Sequence, residues 1–62
     1  MNRKEFGQNV RKVRRELGIR QDIMASKCGV SCTSIQQIET GSLNASKEMV
    51  FKIFDILGPL SV

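Results

Sequence analysis

The sequence has no histidine, tryptophan or tyrosine, one proline and two cysteines. Without histidine, the commonest general base and metal ligand is missing, and two cysteines cannot build a four-ligand zinc site. No nucleophile with its base and no working pair of carboxylates stands out, so neither an enzyme, a metal nor a cofactor is expected. One possible disulfide falls far short of the framework that staples secreted mini-proteins. There is no run of about 18 apolar residues to span a membrane, and the opening Met-Asn-Arg-Lys-Glu leads into no apolar signal region. The cytoplasm is the expected location. Stretches that alternate apolar and polar residues are also lacking, which argues against strands.

What is present suits a small helical fold. Sixty-two residues allow one domain, 1–62, and the 40% hydrophobic share is enough for a small helical core, while 26% charged residues argue against disorder. The net charge is +4. It is concentrated: residues 1–20 carry seven positive side chains (Arg3, Lys4, Arg11, Lys12, Arg14, Arg15, Arg20) against Glu5 and Glu16, whereas the remainder carries three against four. A polyanion is one partner that fits such a face; an ordinary solvated helix surface is the other explanation.

Glycines 18, 29, 41 and 58 close four apolar-periodic segments. In the first, about Arg3 to Leu17, Phe6, Val10, Val13 and Leu17 recur at helical spacing, with Lys4, Gln8, Arg11 and Arg15 opposite and Arg14 beside the seam. Gly7 is a poor helix former whose presence a close helix contact would explain. The second segment, about Arg20 to Cys28, puts Met24, Ala25 and Cys28 on one face. Ser31 caps the third, Cys32 to Glu39, with Ile35 and Ile38 inward. The fourth runs from Ser46 to Leu57, before Gly58-Pro59.

The second and third segments, about residues 20–39, have the spacing of a helix-turn-helix. Ala25 is small enough for close packing, Gly29 allows a left-handed turn, Val30 fills the corner, and Ile35 and Ile38 hold the second helix down. This stretch resembles the phage repressor/Cro family, with its lambda-repressor-like fold. The resemblance extends to Gln21, Glu39, Gly41, Asn44, Ser46, Glu48, Lys52, Ile53, Leu57 and Gly58, over roughly residues 4–58. Ala45 replaces a proline common among relatives, and Cys32 and Gln37 stand where arginine or another polar residue is frequent. The expected fold is all-α, four helices and a fifth where relatives extend.

The third helix turns Thr33, Gln36, Gln37 and Thr40 away from Ile35 and Ile38. Glutamine can pair with adenine in the major groove, and a threonine methyl can meet that of thymine. The resemblance adds Cys32, giving Cys32, Thr33, Gln36 and Gln37 as expected base contacts. No Lys or Arg lies between Lys27 and Lys47, so attraction must come from elsewhere. Expected phosphate contacts are Arg20, Gln21, Lys27, Ser31, Thr40 and Lys47; the resemblance implies that the Gln21 side chain also grips the backbone and that Ser42 and Asn44, in the following loop, contact phosphates. Glu39, near an anionic duplex, needs a cation: Arg14, as a buried pair, or else the two are independent surface charges. Cys28 reads as a buried hydrophobe rather than half of a redox switch with Cys32.

The fourth segment is apolar over more than half its circumference, an excess that marks an interface. Met49, Phe51, Ile56 and Leu60 form the expected dimer patch, unless the tail folds back to cover it. The overall expectation is a homodimeric, sequence-specific double-stranded DNA-binding transcription regulator, a repressor on a palindromic operator. Alternatives are the antitoxin of a toxin–antitoxin pair, with a toxin on the apolar patch, or a protein-interaction module that has kept the fold without DNA.

Overall fold

Three of the four helices begin where a short polar side chain can satisfy a free amide of the first turn. Asn2 Oδ1 accepts from the Glu5 amide at 2.8 Å, Ser31 Oγ from Ser34 at 3.2 Å and Ser46 Oγ from Met49 at 3.2 Å. A computed structural model describes residues 2–58: α1 (Arg3–Glu16), α2 (Gln21–Cys28), α3 (Cys32–Thr40) and α4 (Lys47–Leu57). Ser46 and Arg20 therefore flank their helices rather than open them. Arg20, at the start of α2, makes no side-chain cap. Gly29 and Gly41 end α2 and α3 at φ 71° and 82°, where a Cβ would be strained.

The four helices close over a core of Val10, Met24, Ala25, Cys28, Ile35, Ile38, Met49, Ile53 and Leu57. Val30 and Cys32 pack against it from the turn, as do Phe6 and Val13 from α1. Lys52 Nζ donates to the Cys28 carbonyl at 3.4 Å, tying α4 to the end of α2, where a cation suits the helix dipole. Both cysteines are free; burial pushes the Cys28 thiol up, against a smaller opposite pull from Lys52.

Two helices sit differently from the apolar pattern. In α1 the buried residues are Gly7, Val10 and Arg14, while Leu17 lies past the helix end and is 54% exposed. The inward face is thus turned by roughly a sixth of a turn from the Phe6–Leu17 seam, at about 100° per residue. Gly7 supplies the reason. A Cβ there would overlap the Ile38 carbonyl oxygen and lie 2.8 Å from that of Glu39, so α1 crosses α3 backbone to backbone. In α4 the inward arc centres on Ile53, which draws in Met49 and Leu57, with Ile56 half-buried against the core.

Candidate nucleic-acid interface

The outer side of α3 is polar and uncharged. Ile35, Ile38 and Glu39 face inward, and Thr33, Gln36, Gln37 and Thr40 are exposed. Cys32, at the first turn, is half-buried against the core, so it has less reach than Thr33 or Gln37.

Beneath this side lies the ion pair that anchors α3. Arg14 Nε is 2.6 Å from Glu39 Oε2, and Nη2 donates to Oε1 at 3.2 Å. Arg14 Nη1 also donates to the Ile19 carbonyl at 2.7 Å. Both residues are buried, with Arg14 7% and Glu39 5% exposed. The charge of Glu39 is thereby matched inside the protein, and Arg14 lies on the inward face of α1 rather than among its solvated charges.

Gln21 extends that network outward. Its Nε2 donates to Glu39 Oε1 at 3.0 Å, and its Oε1 accepts from Gln36 Nε2 at 3.3 Å and from the Cys32 thiol at 3.9 Å. The side chain expected at a phosphate is here bonded to the buried carboxylate. The backbone amides that open α2 beside it receive no side-chain cap from Arg20, and the start of a helix favours an anion.

The expected phosphate contacts divide between two ends. Arg20 and Gln21 line a hollow with Arg11, Arg14, Arg15 and Cys32 at the junction of α1, α2 and α3. Arg20 is committed to Asp22 at 3.1 Å on the open surface, which makes a weak pair. Arg11 and Arg15, from the basic stripe of the first helix, have no ion pair among the described residues. At the other end of α3, Thr40 donates to the Gln37 carbonyl at 3.2 Å and meets Ser42 Oγ at 3.1 Å. A hydroxyl has one proton to give, so Thr40 as placed has none for a phosphate oxygen. The Ser31 hydroxyl caps α3. Asn44 is exposed at a groove lined by Asn2, Phe6, Val50 and Phe54, apart from the arginine hollow, and Lys27 and Lys47 are exposed.

The dimer patch needs correcting. Met49 is 8% exposed and Ile56 packs on the core, because both flank Ile53 on the inward arc of α4. Phe51, at 60%, does face solvent, and Phe54, at 40%, joins it. Leu60 lies outside the described residues.

Two short helices joined at Gly29, held by α1 and α4 with a polar outer face on the second, match a known family model. The helix-turn-helix family of the Cro/C1 type matches residues 10–62. The chain belongs to that family. Among curated proteins no sequence matches it. This Cro/C1-type domain is a DNA-binding transcription regulator, of a kind not typically enzymatic, and its partner is double-stranded DNA. Among the described residues no helix is long and apolar enough to cross a membrane.

Proposed function

We propose that this domain is a repressor that places α3 in the major groove of a palindromic operator and excludes polymerase by occupying the site. The observation that carries this reading is the polar outer side of α3, Thr33, Gln36, Gln37 and Thr40, exposed above an internally neutralised Glu39. Thr33 and Gln37 meet base edges directly; Gln36 does so from its bond to Gln21. Cys32 is a marginal contact, at the rim of the core. Phosphates are held by Arg20, Lys27, Lys47, Ser42, Asn44 and the amides that open α2, with Arg11 and Arg15 added from α1. Such a regulator works in the cytoplasm, where bacterial or phage DNA is found.

Two copies pair through α4, with Phe51 and Phe54 at the contact, and set two α3 helices about 34 Å apart on successive turns of the duplex. Those exposed aromatics also favour a second reading, an antitoxin whose α4 docks a toxin. Phe51→Ser should convert a dimer to monomer in sedimentation and lower the melting temperature only at concentrations where the wild type is dimeric. A wild-type chain that is already monomeric at micromolar concentration, and stays so on DNA, would remove the dimer.

Binding to random duplex at two salt concentrations tests the function. Three to five phosphates per subunit, doubled in the dimer, should weaken binding about 10³-fold or more between 50 and 200 mM salt. No binding at 50 mM would sink the reading and leave a protein-interaction module.

A further inference from the structure

We infer that two copies of the chain meet in a single register, an inference that rests on the α4 pairing proposed above. The two α4 helices run antiparallel with the two-fold axis at Phe51, so that Lys47 of each copy meets Asp55 of the other. Lys47, Phe51 and Asp55 stand four residues apart on one ridge of α4, and all three are exposed. A helix rises about 1.5 Å per residue, so the ammonium and the carboxylate branch from the helix about 6 Å to either side of the ring. Phe51 is the most exposed of the large apolar side chains described, at 60%, and Phe54 adds apolar surface beside it.

Both charges are uncommitted. Among the described residues the ion pairs are Arg14–Glu39 and Arg20–Asp22, and the other lysine of α4, Lys52, is engaged by the Cys28 carbonyl. Neither Lys47 nor Asp55 has a side-chain partner there. A two-fold axis makes residue i of one copy meet residue j of the other, and j meet i. With antiparallel helices centred on Phe51, that gives two opposite-charge pairs around two rings in contact. Parallel helices would set lysine against lysine and carboxylate against carboxylate. An axis at Phe54 would carry each Lys47 past the end of the partner's α4 and leave both pairs unmade. The ridge is complementary to itself, which favours a second copy over an unlike protein as its occupant. The rings hold the pair together and the charges choose its orientation.

The test is sedimentation equilibrium at low salt, without DNA because Lys47 also serves a phosphate in the reading above. It compares the wild type with Lys47→Glu, Asp55→Lys, the Lys47→Glu/Asp55→Lys double exchange and Phe51→Ser. Each single exchange turns two attractive pairs into two repulsive ones and should weaken dimerisation about tenfold or more. Glutamate in the first turn and lysine in the last both suit the helix dipole, so such a loss cannot be laid to a weaker α4. The double exchange restores both pairs with their signs reversed and should dimerise within about threefold of the wild type. An equimolar mixture of the two single variants should likewise recover, as heterodimers, and about 1 M salt should shrink every one of these differences. Single exchanges that dimerise like the wild type while Phe51→Ser is monomeric would overturn the register and leave the α4 dimer standing. A loss that neither the double exchange nor mixing repairs would do the same. A wild-type chain that stays monomeric, or a Phe51→Ser chain that dimerises as well as the wild type, would overturn the register together with the pairing it rests on.

Discussion

Arg14→Ala should lower the melting temperature by about 12–40 °C, whereas Arg15→Ala, one residue on, should leave it nearly unchanged. The two arginines are neighbours in sequence and opposites in setting. Arg14 is 7% exposed and spends three nitrogens on Glu39 and the Ile19 carbonyl; Arg15 is exposed. Alanine at 14 would leave the Glu39 carboxylate buried with Gln21 as its remaining side-chain donor. Removing one partner of a buried pair costs about 3–5 kcal/mol, while an unengaged surface charge changes stability by about 0.5 kcal/mol or less. A domain of this size has roughly 3–9 kcal/mol in total, and each kcal/mol is worth about 4–8 °C, so the first loss removes most of the fold. Thermal unfolding of the two variants side by side checks this; equal melting temperatures would mean that the pair contributes nothing.

Gly7→Ala should destabilise by about 2 kcal/mol or more, although alanine is the better helix former by about 1 kcal/mol. The added methyl group would overlap the Ile38 carbonyl oxygen and crowd the Glu39 carbonyl, and backbone cannot swing aside as a side chain can. Relief would come from lifting α3 off α1, which stretches the Arg14–Glu39 pair and tilts the helix that carries Thr33 and Gln37. DNA affinity should therefore fall along with stability. Gln8→Ala is the control, an exposed position on the same helix. Urea unfolding should show the control equal to or slightly above wild type; a Gly7→Ala variant that gains stability in the same way would show that the close crossing is not tight.

Where local signals acted alone, the sequence was a good guide. Asn, Ser and Gly at helix ends act through their own backbone, and four helices, their ends within a residue or so, follow from Ser31, Ser46, Gly29 and Gly41. The polar side of α3 was equally plain, because Ile35 and Ile38 leave one orientation for a short helix. The orientation of α1 was not legible. Its apolar seam suggested Phe6 to Leu17, but the true inward face is set by Gly7 and Arg14, a residue with no side chain and a residue with a charge, neither of which contributes to an apolar pattern. Each was marked singly in the sequence, Gly7 as fitting a close helix contact and Arg14 as a partner for Glu39, and the structure joins the two on one face of α1. On α4 seven of eleven residues are apolar and spread over more than half the circumference, so periodicity could not separate buried Met49 from exposed Phe51. The redirection of Gln21 by Glu39 is a contact across 18 positions and left no mark on local pattern.

Selecting bound duplexes from a random pool, with the wild-type chain and with Gln37→Ala, bears most directly on the claim that α3 reads base edges. The wild type should enrich a two-fold symmetric site with half-site centres about 10 base pairs apart, and Gln37→Ala should lose preference at one position of each half while keeping the rest. Duplexes recovered without any common sequence, or an identical site from both proteins, would contradict it.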